Sequence, residues 1–298
     1  FSMVWQGRAH GLSRLRRQPL KLPALNDVSG ESKLVPEEQY IFMHYMPEEN
    51  LVACGCGKCG TTSMWSFIYE RKFGQPWSYM DEPFVQEVTS ERWHGKVLHE
   101  TDEVVQHQIM AQVNLSFALV RDPKERLLSS WKSKLACEGE LFGTDVPTRA
   151  YFTQRLLETA GWHSPEVTCL SLGDFLEALK RVHELNRQQY LDRHFLPQSD
   201  GCFSRFPPEK WSMVTTVSNT EAFDVLAEKL GSSGGEVPYT HASTSKVAVS
   251  EEALALLDEV TASEYELLRD YLPYPKIRSA GVYVRTGTSS SWFLDGHH

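Results

Sequence analysis

The sequence predicts an α/β fold, a single domain built on a central, mostly parallel sheet flanked by helices. Three observations carry that prediction. Two short apolar runs of strand length, Leu51-Val52-Ala53-Cys54 and Leu115-Ser116-Phe117-Ala118-Leu119-Val120, are each followed at once by a turn and a helix-length segment. Further strand and helix patterns keep alternating along the chain, which argues for parallel strands covered on both faces. The 298 residues are 41% hydrophobic and 23% charged, an ordinary globular balance that can fill one shared core.

The elements follow in order. Residues 1–35 read as an irregular N-terminal arm, broken by Pro19 and Pro23 with Pro36 just beyond. Its basic residues Arg8, Arg14, Arg16, Arg17 and Lys21 read as a solvated arm rather than a docking site for acidic partners. The main domain is expected over 36–277 and a C-terminal tail with weak signals over 278–298. Gly55, Gly57 and Gly60 turn the first strand into a helix over Thr61 to Phe73. After the second strand, Asp122-Pro123 opens a helix to about Lys134, with Pro at the first helical position. A helix is predicted from Asp174 to Leu191, with Phe175, Leu176, Leu179 and Val182 on one face. Trp211 to Val217 reads as a strand, Thr220 to Leu230 as a helix and 231–250 as a Gly/Ser/Thr-rich loop. A long amphipathic helix is expected from Glu251 to Leu272.

The net charge of -9 argues against general affinity for nucleic acid, so an anion site requires a local cluster of basic residues. No apolar run reaches the ~18 residues of a membrane span, and no signal peptide is legible. The chain begins at Phe1, which leaves a trimmed anchor or transit segment open. Cys54, Cys56 and Cys59 crowd together, with Cys137, Cys169 and Cys202 elsewhere. A C-x-C-x2-C run raises the question of zinc, but no second ligand pair stands at finger-like spacing, so no metal is expected. The count permits disulfides without indicating them.

Two segments carry the chemistry. The first is Gly57-Lys58-Cys59-Gly60-Thr61-Thr62-Ser63 between a strand and a helix. Glycines allow close backbone approach to an anion, and the first amides of a helix point outward unsatisfied. Lys58 adds a full charge, and Thr61, Thr62 and Ser63 add hydroxyl donors. The NTPase loop places Lys directly after its last Gly, whereas here Lys58 precedes Gly60 by two positions. The second segment is Arg121-Asp122-Pro123-Lys124-Glu125-Arg126-Leu127-Leu128-Ser129. Arg121 ends a strand, where α/β sheets bind ligands, and Ser129 lies about two helical turns further on. Arg121, Lys124, Arg126, Lys132 and Lys134 outnumber Asp122 and Glu125 there. Arg126 is assigned mainly to structure, through an i,i+4 pair with Asp122.

The order Lys-x-Gly-Thr-Thr-Ser resembles the 5′-phosphosulfate loop of sulfotransferases that use 3′-phosphoadenosine 5′-phosphosulfate (PAPS). The Arg-Asp-Pro-x-x-Arg-Leu-x-Ser order resembles the 3′-phosphate motif of the carbohydrate sulfotransferases. Asp174-Phe175-Leu176, His194-Phe195-Leu196-Pro197-Gln198 with Cys202, the stretch from Val217 to Leu230, and Glu264-Tyr265-Glu266-Leu267-Leu268 are similar to later segments of the Golgi members, the chondroitin, dermatan and heparan types. The likeness covers roughly residues 50 to 275. Gly57 stands where Pro commonly precedes the Lys, Cys202 lacks a second nearby cysteine, and the strand near Ser218-Asn219 lacks an acidic start; these departures leave the subfamily and the acceptor open.

The resemblance implies a P-loop-like nucleotide-binding architecture and PAPS as cofactor, with 3′,5′-ADP as product. It implies contacts to the 5′-phosphosulfate from Lys58, Cys59, Gly60, Thr61, Thr62 and Ser63, and to the 3′-phosphate from Arg121 and Ser129. Lys58 is expected to stabilise charge building on the leaving phosphate. The acceptor partner is a hydroxyl, on a glycan by resemblance or on a small alcohol, and a Golgi lumen location is implied, with the cytoplasm as alternative. A base must take the acceptor proton. His94, His99, Glu100 and His107 lie between the motifs; His99 roughly matches the base histidine of heparan uronyl sulfotransferases, and Glu100 stands in for relatives with a carboxylate. His194 reads as structural or acceptor-side, and the loop His241 to Lys246 as a nucleotide cover or a solvated loop. A P-loop-like nucleoside or sugar kinase is disfavoured, because the strand 115–120 ends in Arg121 and not in a magnesium-binding Asp. A non-catalytic nucleotide-binding module would keep the loops without Lys58 or a base.

Overall fold

The computed structural model describes residues 43–75, 96–97, 102–137, 146–232, 237, 247–272, 281–285 and 292–294. The N-terminal arm and the loop 241–246 lie outside the described residues.

The chain enters through a hairpin, β1 (Met43–Met46) and β2 (Leu51–Gly55), with Met46 opposite Leu51. Helix α1 (Thr61–Phe73) follows, and β3 (Lys96–Val97) pairs antiparallel with β1. Next come α2 (Glu103–Gln112), β4 (Leu115–Val120), α3 (Pro123–Lys134), α4 (Val146–Thr159) and α5 (Leu172–Glu184). The chain then passes through β5 (Met213–Thr216), α6 (Thr220–Lys229), β6 (Val247–Val249) and α7 (Glu251–Leu267) to β7 (Gly281–Arg285) and β8 (Trp292–Leu294).

The main sheet has the order β3-β1-β2-β4-β5. β2, β4 and β5 pair in parallel, and β1 runs antiparallel to both neighbours, so four of the five strands share one direction. This is the α/β architecture expected from the sequence. β2 and β4 are buried along their whole length, which is why their sequences are continuously apolar. Alternate side chains nevertheless serve different cores. Leu51, Ala53, Phe117 and Leu119 pack under Met64, Phe67 and Ile68 of α1 and Phe223 and Leu226 of α6. The rings of Phe67, Phe117 and Phe223 meet edge to face at 5.1 and 5.5 Å. Val52, Cys54, Ala118 and Val120 face Cys202, Phe203, Phe206, Trp211 and Leu268. A third cluster joins α3, α4, α5 and α7 beside the sheet. Each fully buried Leu or Phe in these layers contributes about 1.5–3 kcal/mol relative to exposure.

Several boundaries differ from the sequence reading. The helix predicted over 174–191 begins at Leu172, because Ser171 caps it by accepting from the Asp174 amide at 3.1 Å, and it stops at Glu184. Asn186 then takes a left-handed backbone (φ 52°), which interrupts the helical path. The helix expected to reach Leu272 ends at Leu267, shortly before Pro273. Within the expected loop 231–250, Val247–Val249 is a strand, and it forms a second, three-stranded antiparallel sheet with β7 and β8. Helices α2 and α4 and strands β1 and β3 were not anticipated, nor were β7 and β8 within the segment 278–298 read as a tail. Among the described residues, no helix is long and apolar enough to cross a membrane.

The cysteines pair as Cys54–Cys202, Cys56–Cys59 and Cys137–Cys169. The crowded trio is therefore divided between a long-range crosslink and a local one.

Candidate active site

β2 and β4 are parallel neighbours with Gly55 opposite Leu119, so the segments after them leave the same edge of the sheet. This register brings the two anion motifs together, at the strand ends where α/β sheets bind ligands.

The first motif is a tight turn. The Cys59 amide donates to the Cys56 carbonyl at 3.2 Å, and Thr61 Oγ1 donates to the same carbonyl at 2.6 Å. Lys58 sits in the left-handed region (φ 66°). Gly60, the residue before α1, is also left-handed (φ 94°), and a Cβ there would lie 3.0 Å from Val217. Gly57 packs even closer: a Cβ would stand 2.6 Å from the Arg193 carbonyl. Both glycines are thus required by contact with the segments behind the loop. No side chain caps α1 and its first turn carries no acid, which leaves its N-terminal amides suited to an external anion.

The second motif docks onto the first. Arg121 Nη1 donates to the Lys58 carbonyl at 3.0 Å, and Arg121 Nε lies 3.4 Å from Glu125 Oε2. Asp122 caps α3 by accepting from the Glu125 amide at 3.0 Å, and it accepts from the Tyr265 hydroxyl at 2.8 Å. The i,i+4 pair expected between Asp122 and Arg126 does not form, because Asp122 is turned to its cap. Arg126 is fully buried and pairs instead with Glu264 at 3.0 Å, a structural role through a different partner. Ser130 is buried and donates to the His194 carbonyl at 2.6 Å. Ser129 is the one partly exposed residue from Asp122 to Ser130, on the side of α3 left open. Lys124 turns away to Asp258 of α7 at 2.5 Å.

Gln198 fastens the two motifs from behind. Fully buried, its side chain accepts from the Arg121 amide and donates to the Arg121 carbonyl, both at 2.9 Å. Its Nε2 and its own amide also donate to Glu264 Oε2, each at 2.9 Å. The sequence offered Gln198 and Glu264 only as parts of segments similar to the carbohydrate sulfotransferases, with no role attached.

Cations crowd beside the Lys58 turn. Burial, with Lys134 and Arg121 nearby, lowers the Lys58 ammonium to about 8. Lys134 is also pushed down, chiefly by burial, with Asp192 opposing and Arg193 adding to the shift. Lys134 belongs to the basic excess read from the sequence after the second strand, whereas Arg193 was not singled out. Cations crowded and partly desolvated at one edge of an acidic chain are stabilised by a bound anion. Beside them, His194 Nδ1 lies 2.5 Å from Asp192 Oδ1, and burial lowers His194 below its usual range, with Asp192 opposing.

Of the base candidates, His94, His99 and Glu100 lie outside the described residues. His107 is on α2, with its ring against Phe206 at 4.9 Å and Nε2 3.9 Å from Glu103. Among the described residues, no group of three or more His, Cys, Asp or Glu is arranged to hold a metal ion.

An α/β sheet with a glycine-turned Lys loop at one strand end and an Arg at the next defines an anion- or nucleotide-binding protein of P-loop-like build. The family model described as "Sulfotransferase family" matches residues 43–226, more than half of the chain and both motifs, so the chain belongs to the sulfotransferase family. No curated protein and no solved structure gives a significant match.

Proposed function

We propose that the chain transfers the sulfuryl group of PAPS to an acceptor hydroxyl, on a carbohydrate. The observation that carries this reading is the direct docking of the Arg121 side chain on the Lys58 turn at 3.0 Å, two cationic motifs at one sheet edge. PAPS carries a 5′-phosphosulfate and a 3′-phosphate, and so asks for two such sites. The α1 amides, Lys58, Thr61, Thr62 and Ser63 take the 5′ end; Arg121 and Ser129 take the 3′-phosphate.

Lys58 is the group whose charge matters most during transfer. Its ammonium meets the bridging oxygen as that oxygen becomes negative, and a positioned cation in a desolvated turn stabilises this charge far better than water does. His99 is the proposed base, with Glu100 as its neighbour. The carbohydrate acceptor rests on the likeness of the segments 174–176, 194–202 and 264–268 to those of the Golgi enzymes. The three disulfides fit an oxidising compartment such as the Golgi lumen.

Thermal-shift titration tests the cofactor class. 3′,5′-ADP raises the melting temperature without added metal, and ATP with Mg²⁺ leaves it unchanged, because a ligand stabilises only the fold it binds. Stabilisation by ATP with Mg²⁺ and none by 3′,5′-ADP would assign the site to a kinase.

A further inference from the structure

The Cys56–Cys59 pair differs in kind from the other two disulfides. Cys54–Cys202 and Cys137–Cys169 span 148 and 32 positions and tie separate segments together. Cys56–Cys59 spans 3 positions, with Cα atoms 5.3 Å apart, and closes a turn that the Cys59 amide already closes onto the Cys56 carbonyl. A crosslink this short removes little chain entropy, so it adds little to global stability. What it encloses is Gly57 and Lys58.

Its surroundings suit thiol chemistry. Cys59 directly precedes Gly60 at the amide end of α1, where a thiolate is stabilised. As residues, Cys56 retains 7% exposure and Cys59 none, so Cys56 is the member of the pair nearer to solvent. Both sulfurs lie 3.4 Å from Gln198 Oε1, the oxygen that also accepts from the Arg121 amide. The reduced pair therefore has an acceptor waiting for its S–H groups, and those groups compete with Arg121 for it.

Building on the sulfotransferase reading above, we propose that Cys56 and Cys59 are a reversible thiol–disulfide site, opened by dithiols, whose state sets how the Lys58 turn holds its anion. A dithiol thiolate attacks the Cys56 sulfur and forms a mixed disulfide, releasing the Cys59 thiolate at the helix end. The second thiol of the reagent then displaces Cys56, leaving two protein thiols and one oxidised dithiol, a transfer of two electrons and two protons. The closed ring holds Lys58 in its left-handed backbone, which a non-glycine residue disfavours. Opening the ring lets the turn relax and brings S–H donors onto Gln198, so the closed form binds the nucleotide more tightly.

The test treats the full chain with graded dithiothreitol, traps thiols with iodoacetamide, maps them by peptide mass and titrates each state with 3′,5′-ADP. Cys56 and Cys59 are alkylated before the other four cysteines, and after removal of the reagent the pair recloses with oxidised glutathione. Selective opening weakens 3′,5′-ADP about fivefold, the low end of site-to-site coupling. The Cys56→Ser/Cys59→Ser variant binds like the opened protein and ignores the reagent. The proposal is overturned if the pair opens only together with the others, if selective opening leaves the affinity unchanged, or if the double variant responds to dithiothreitol as the parent does. Failure of the functional reading looks different: neither state binds 3′,5′-ADP, while the order of alkylation still decides the thiol site.

Discussion

At the scale of single residues, Lys58 is the titrating group at the turn. Burial and two neighbouring cations bring its ammonium down to about 8, so below that pH it is charged and above it increasingly neutral. A bound 5′-phosphate favours the charged form and raises the value again. Binding of 3′,5′-ADP near pH 8 to 9 therefore takes up protons, and affinity falls as pH rises past 8. Calorimetry in two buffers of different ionisation enthalpy measures the uptake, which Lys58→Ala should abolish. Uptake that survives in the variant would place the titrating group elsewhere. The glycine turn between β2 and α1 was legible in the sequence because it is local. The left-handed backbone of Lys58 was not, since nothing in a lysine signals a positive φ, nor was the close packing of Gly57 on Arg193, a residue more than a hundred positions away.

At the scale of elements, the buried cluster behind the site does the fastening. Arg126 on α3, Glu264 on α7 and Gln198 between α5 and β5 join three segments through one buried polar network, beside the outer links Lys124–Asp258 and Tyr265–Asp122. Arg126 and Glu264 are almost wholly shielded from water, with side-chain exposures of 1% and 2%. Removing one partner leaves the other charge buried and unpaired, so Glu264→Gln lowers unfolding free energy by about 3–5 kcal/mol. Urea unfolding checks this, and a loss below about 1 kcal/mol would show that the pair is solvated or replaceable. Strands β2 and β4 and helices α1 and α3 were read from the sequence almost residue for residue, because apolar runs and Asp-Pro or Gly punctuation define them locally. Gln198 and Glu264 carried no such signal. Their partners stand 77 and 66 positions away, and only the folded chain brings them into contact. The strand at Val247–Val249 was missed for a related reason: its three residues pair with Gly281–Tyr283, beyond the long helix and within the segment read as a weak C-terminal tail.

At the scale of the whole molecule, the placement of the two motifs depends on sheet order. β2 and β4 are not consecutive in sequence, yet they are neighbours in the sheet, and their parallel register sets the two anion motifs side by side. The alternation of strands and helices foretold a parallel sheet; it did not say which strands touch. Cysteine pairing was equally hidden, since six cysteines allow about 15 pairings. The Cys54–Cys202 bond now ties β2 to the segment that carries Gln198. The central claim is that the two motifs hold opposite ends of one nucleotide, and paired calorimetric titrations test it most directly. 3′,5′-ADP and 5′-AMP share every group except the 3′-phosphate. Arg121→Ala should weaken 3′,5′-ADP by about 2–3 kcal/mol, the scale of a hydrogen bond to a charged group, and leave 5′-AMP unchanged. Equal loss for both ligands, or no loss for either, would contradict the assignment of Arg121 to the 3′-phosphate and with it the two-ended site.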